Sequence, residues 1–206
     1  MAKEVNHGNY DVKLEAFGND EVSILTNTFN QLISHLKTHI KDLNNLAYAD
    51  ALTSLRNKGA CDIYMQKLQN QLNNSHGDFE FAIGIFDCNN LKTINDKYGH
   101  DKGDIYLKSA STLICQVFKH SPVFRTGGDE FTVVLQNEDY KKRKELINLF
   151  EEKSFEISAT KKARWEQISV AAGIADYDSQ IDNSVEDVMR RADYLMYENK
   201  RKLKNK

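Results

Sequence analysis

The run Phe124-Arg125-Thr126-Gly127-Gly128-Asp129-Glu130-Phe131-Thr132-Val133-Val134-Leu135 restricts the fold more than any other part of the chain. It reads as strand, glycine pair, two carboxylates, strand, and so predicts a hairpin whose tip carries negative charge. Adjacent glycines permit backbone conformations closed to other residues and let a bulky ligand approach the main chain. Asp129 and Glu130 repel each other unless a cation or a proton lies between them. A divalent metal beside a nucleotide phosphate satisfies both features. A solvated turn is the plainer alternative, because Gly, Asp and Glu are common turn residues.

A second segment weighs against the plain reading. Phe79-Glu80-Phe81-Ala82-Ile83-Gly84-Ile85-Phe86 is a nearly continuous apolar run, the pattern of a strand buried on both faces. It ends at Asp87, which is thereby predicted at the carboxyl end of a central strand, where open α/β sheets bind ligands. Asp87 and Asp129 on neighbouring strands are hard oxygen donors suited to Mg²⁺, which needs few protein ligands when phosphates complete its shell. The alternative for Asp87 is a helix cap.

The remaining pattern predicts helices over about Lys58–Leu72, Asn90–Tyr98, Gly103–Lys119 and Tyr140–Phe155. A strand is expected over about Gln167–Ala175 and a last helix from near Ser184. Pro122, the only proline, marks the break before the hairpin. The class is α/β. A formal net charge of −2 argues against a nucleic-acid partner. Cys61, Cys88 and Cys115 are widely spaced and odd in number, which suits a reducing compartment and neither a disulfide framework nor a zinc site. No signal peptide or bilayer-length apolar run is present, so a cytoplasmic chain with no direct membrane insertion is expected.

Ahead of this, Val22, Leu25, Phe29, Leu32, Leu36, Leu43 and Leu46 recur in steps of three and four after Asp20-Glu21. These spacings make a coiled-coil seam, with a stutter where Ile40 continues the stripe past His39. An amphipathic helix packed on its own domain is the alternative.

Taken together, the motifs resemble the GGDEF domain of diguanylate cyclases. Asp50-Ala51-Leu52-Thr53-Ser54-Leu55-Arg56-Asn57-Lys58 is similar to the family's opening signature, with Lys58 where Arg is usual. Asp87 through Asp104, with Lys92, Ile94-Asn95-Asp96, Gly99-His100 and Gly103-Asp104, resembles its second block. Ser169–Ala175 resembles the later strand, and Ala192-Asp193, Met196-Tyr197 and Lys200 the closing helix. The resemblance implies a central, mainly antiparallel sheet flanked by helices, like the palm of nucleotidyl cyclases. It implies condensation of two GTP into cyclic di-GMP with release of two pyrophosphates, each step an in-line attack of a ribose 3′-hydroxyl on an α-phosphate. Mg²⁺ or Mn²⁺ would be held by Asp87, Asp129 and the Cys88 carbonyl, with Glu130 supporting the metal and helping to deprotonate the hydroxyl. Gly127 and Gly128 would admit the nucleotide, Asn95 and Asp104 would read guanine, and Lys92, Lys200 and Lys204 would hold the triphosphate. Each subunit of a homodimer would hold one GTP.

Two departures stand out. Lys204 replaces the family's usual Arg, keeping charge but losing the bidentate fork, and Leu203 replaces a habitual Gly. Phe118-Lys119-His120-Ser121 lacks the Arg-x-x-Asp product site of many relatives, so inhibition through that site is not expected. Arg125 belongs to the family consensus and would equally anchor the hairpin to a carboxylate; His100 reads as a turn residue and Trp165 as packing. The N-terminal stretch resembles part of a HAMP signalling module, through Gly8–Leu14, Asn19–Val22 and Phe29–Leu32. The expected division is therefore 1–46, a partial HAMP-like connector and signalling helix, and 47–206, the cyclase domain. A longer membrane-tethered parent would place this part at the cytoplasmic face of the inner membrane. The competing function is a catalytically silent GTP-binding module that regulates a partner.

Overall fold

A computed structural model describes residues 14–15, 21–75 and 79–204, and the chain falls into two compact units, Met1–Ala47 and Tyr48–Lys206. Helix α1, Glu21–Tyr48, runs through the first unit. Val22, Leu25, Leu32, Leu36, Leu43 and Leu46 of the seam are exposed, whereas Ile33, off the stripe, is buried. The Asn30 side chain clasps the backbone of Leu14, accepting from its N–H at 2.9 Å and donating to its carbonyl at 2.8 Å. The resemblance at residues 8–13 and at Asn19-Asp20 lies outside the described residues.

The second unit is built on strands β1 (Ala82–Cys88), β2 (Val123–Arg125), β3 (Glu130–Leu135) and β4 (Val170–Asp176), ordered β2-β3-β1-β4 and antiparallel throughout. Helices α2 (Lys58–Asn74), α3 (Leu91–Tyr98), α4 (His100–Val117), α5 (Asn137–Lys141), α6 (Arg143–Thr160) and α7 (Val185–Lys204) flank it. This is the expected architecture, and β1 is its central strand.

Side-chain alternation along β1 explains why both faces are apolar. Ala82, Phe86 and Cys88 join Phe131, Tyr106, Ile114, Phe118 and Phe150 on the side of α4 and α6. Phe81, Ile83 and Ile85 join Phe124, Leu68, Val188, Ala192 and Met196 on the side of α2 and α7. Asp87 has the parity of the second set, so the strand's last polar side chain turns toward α7. The helix lies directly on the sheet because β4 has a glycine there. A Cβ on Gly173 would meet the Met196 nitrogen at 2.1 Å and the Ala192 carbonyl oxygen at 2.4 Å.

Several boundaries differ from the sequence reading. The helix expected over Tyr140–Phe155 is two, because Arg143 turns back: it donates to the Tyr140 carbonyl, stacks over the Tyr140 ring and pairs with Asp176. The strand expected from Gln167 begins at Val170, since Arg164–Glu166 form a 3₁₀ turn and the Ser169 N–H donates to the Tyr106 hydroxyl at 3.0 Å. The helix expected from Gly103 begins at His100, immediately after Gly99. Gly99, at φ 86° and ψ 160°, is the single residue between α3 and α4.

Candidate active site

Three chain segments meet at the carboxyl end of β1. Asp87 is only 5% exposed there and pairs across the sheet with Glu130 on one side and Ala171 on the other. Strand β1 continues one residue past Asp87, and the Cys88 N–H donates to the Asp129 carbonyl at 2.9 Å. This bond draws the hairpin tip to the strand end, so Asp129 follows from β1 as well as from its own turn. Lys200 reaches in from α7 and its Nζ lies 2.6 Å from Asp87 Oδ1.

The charge at this point is unbalanced toward the negative. Burial pushes the Glu130 carboxyl above its usual range, and the fields of Asp87, Asp129 and Asp193 push the same way, against Lys200. Burial likewise pushes the Cys88 thiol far up, which removes it as a nucleophile and leaves its backbone as the useful part. Among the described residues no three His, Cys, Asp or Glu side chains are grouped so as to hold a metal ion by themselves. What converges is a set of carboxylates, which fits a hard divalent cation whose shell is completed by phosphate and water.

The glycine pair fits one half of the sequence reading, open approach, and not the other, backbone freedom. Neither Gly127 nor Gly128 takes a positive φ, so left-handed freedom is not what the tip requires. Room is. A Cβ on Gly127 would lie 2.8 Å from Glu130 Oε2, while nothing lies within 4 Å of a Cβ built on Gly128. Gly128 thus opens onto free space, and Gly127 gives Glu130 its place.

The tip is fixed by a contact that spacing alone does not reveal. Arg125 Nη1 donates to both Asp50 oxygens, at 2.9 and 3.1 Å, and Nη2 donates to the Gly128 carbonyl at 2.7 Å. Burial alone would raise the Asp50 carboxyl, but hydrogen bonds from Thr53 and Arg125 outweigh it and hold it below the usual 3.8. The opening signature therefore acts on the hairpin: Asp50 grips Arg125, and Arg125 grips Gly128. The sequence suggested a carboxylate for Arg125 but could not choose one 75 residues away.

The other expected residues sit apart from the carboxylates. Asn95, on α3, packs against α4 so closely that a Cβ on Gly103 would fall 1.9 Å from its Oδ1. That Oδ1 is buried and has no hydrogen-bond partner. Asp104 follows Gly103 and is half-buried, and Lys92 is exposed in the first turn of α3. Lys204 is exposed at the end of α7. His100 is exposed at the start of α4. Trp165 packs edge-on to Tyr98 under Lys102. His120 and Ser121 both donate to Asp139, a turn with no part in this site.

The four-stranded antiparallel sheet flanked by helices, with carboxylates at the end of its central strand, has the architecture of solved GGDEF domains. More narrowly, the chain belongs to the diguanylate cyclase GGDEF-domain family, whose profile matches residues 47–206. It is 29% identical over 163 residues to the diguanylate cyclase DgcS of Shewanella oneidensis, covering 78% of this chain and 52% of that one. It is 36% identical over 107 residues to the cyclic di-GMP phosphodiesterase NbdA of Pseudomonas aeruginosa, covering 51% of this chain and 13% of that one. The solved coiled coil and GGDEF domain of DgcB from Caulobacter crescentus, in complex with c-di-GMP, superposes with a TM-score of 0.73 at 23% identity. It covers 88% of this chain and 95% of that one, and at this identity the likeness is one of fold. Helix α1 is similar to the coiled coil of that structure. The chain spans about half or less of the length of the curated relatives it matches. Among the described residues no helix is long and apolar enough to cross a membrane.

Proposed function

We propose that residues 47–206 condense two GTP molecules into cyclic di-GMP, working as a homodimer in which each subunit presents one nucleotide. The convergence of Asp87, Glu130 and Lys200 at the end of β1, beside the open Gly128, carries this reading. Asp87, Asp129 and the Cys88 carbonyl would hold Mg²⁺ or Mn²⁺, supported by Glu130. When bound, such a cation neutralises charge developing on the phosphates of an in-line displacement. Glu130, paired across the sheet with Asp87, takes the proton of the ribose 3′-hydroxyl. Gly128 admits the phosphates, and Gly127 seats Glu130 beside them. Lys200, Lys92 and Lys204 hold them. Asp104 accepts from guanine N1–H and N2–H₂, and Asn95 on the adjoining helix reads the same base. Residues 1–46 are read as a partial HAMP-like connector and signalling helix whose exposed stripe pairs two copies on the cytoplasmic side of a membrane-tethered parent.

Incubating purified protein with GTP and Mg²⁺, with products resolved by chromatography and mass detection, tests the reading. Cyclic di-GMP is expected from the wild type, and none above about a thousandth of that rate from Asp129→Ala. Equal synthesis by the variant would remove the metal assignment. Absence of product from a dimeric wild type that binds GTP would favour a regulatory GTP-binding module.

A further inference from the structure

Asp87 is a buried carboxylate, and a buried charge needs a partner. Its partner in this structure is Lys200, at 2.6 Å. Two features deliver that ammonium. Gly173 lets the backbone of α7 rest on β4, and the Asn199 Oδ1 accepts from the Ala172 N–H at 3.2 Å, pinning the helix one residue before Lys200. A lysine stem held so close has one carboxylate in reach on the inner face of β1, and its flexible four-carbon chain can also swing outward.

The same oxygen cannot serve two cations cheaply. An ammonium and a divalent ion on one carboxylate would sit a few ångströms apart, and in a partly buried site their repulsion is weakly screened. Lys200 must therefore leave Asp87 before that carboxylate can ligate a cation, and leaving requires another anion for the ammonium to meet. We propose that Lys200 is the resident counter-ion of Asp87 and releases it only when a nucleoside triphosphate offers replacement oxygens, so that divalent cation and nucleotide bind as one unit. The proposal rests on the cyclase reading for the identity of the nucleotide, but not for the exchange itself. By reciprocity, whatever factor the nucleotide adds to cation affinity, the cation adds to nucleotide affinity. An empty site would then leave its carboxylates neutralised without drawing in stray metal.

Mn²⁺ binding to nucleotide-free protein, followed by electron paramagnetic resonance at about pH 8 where carboxylates are ionised, tests this. Wild type is expected to bind weakly, and Lys200→Met to bind at least about tenfold more tightly. Addition of a non-hydrolysable GTP analogue should raise wild-type affinity by a similar factor. Equal affinity of the two nucleotide-free proteins overturns the proposal. Should the variant fail to fold, the wild type answers alone through ¹⁵N-lysine resonances. The Lys200 ammonium signal, assigned in the wild type by its through-space contacts to the residues around Asp87, should move with the analogue and stay in place with Mg²⁺ alone. Movement with Mg²⁺ alone overturns the exchange. A parallel product assay separates the two claims. Cyclic di-GMP formed by a wild type that binds Mn²⁺ tightly without nucleotide removes the exchange and keeps the cyclase; the reverse pattern keeps the exchange and removes the cyclase.

Discussion

The hairpin end of the site and the α3–α4 end are finished to different degrees. At the hairpin, internal partners already hold the buried carboxylate and the tip: Lys200 on Asp87, and Asp50 through Arg125 on the Gly128 carbonyl. At the α3–α4 end, the Asn95 Oδ1 is buried and unpaired, with Asp104 half-buried close by in sequence to the glycine it packs against. An unpaired buried acceptor costs free energy that a ligand donor returns on binding. One end is held in shape by the protein. On the proposed function, the other is completed by the base that enters. Substitutions should therefore damage stability at the first end and selectivity at the second.

The largest effect expected is on base selection. Asp104→Ala should lower the kcat/KM ratio of GTP over ATP by about 10²–10⁴, since a carboxylate that accepts from guanine is what penalises adenine. An unchanged ratio would take Asp104 out of recognition. Next, Arg125→Met should cost about 2 kcal/mol in urea unfolding, and it should slow turnover about tenfold by loosening the tip. The pH dependence carries a sign. Asp50's lowered carboxyl stabilises the fold fully above its usual 3.8 and loses that contribution as pH falls through the lower folded value. Arg125→Met should shrink this acid-side loss; an identical acid profile would show that Arg125 contributes nothing to it. Third, Asn95→Ala should leave the melting temperature unchanged or slightly higher while weakening GTP binding about tenfold. A marked loss of stability there would erase the contrast between the two ends.

The smallest effect concerns Glu130. Its raised carboxyl means that the fold opposes its ionisation, so no penalty exists below the ordinary glutamate range and one appears as pH rises through the raised value. In metal-free buffer Glu130→Gln should raise the melting temperature slightly at neutral pH and not at all near pH 4, a small effect because Glu130 is exposed. A uniform shift at both pH values would point to packing instead of charge.

What the sequence made legible was local. The apolar run before Asp87 and the hairpin pattern around Gly127 placed two strands and their carboxylates, because alternation and turn chemistry act over a few residues. The antiparallel sheet came with the family resemblance, since no spacing dictates how strands separated by helices pair. Contacts across long separations stayed hidden. Nothing near Lys200 in sequence marks it as Asp87's partner, and nothing near Asp50 says that it reaches Gly128 through Arg125. The split at Lys142 was hidden for the same reason, as it depends on Arg143 meeting Asp176 on a distant strand. The glycine pair was read for both freedom and open approach, and the structure shows room at Gly128 but no positive φ, because sequence gives the residue and not its φ.

Gly99 presents the opposite demand. Nothing lies within 4 Å of a Cβ built there, yet its φ of 86° excludes ordinary side chains. What this joint requires is handedness. With φ and ψ of 86° and 160°, a mirror-image alanine would sit in what is, for its chirality, a plain extended conformation. Chemical ligation of D-alanine at this position should be tolerated where L-alanine strains the joint. The relation between the helix bearing Asn95 and the helix bearing Asp104 thus hangs on a stereocentre that the natural chain leaves out.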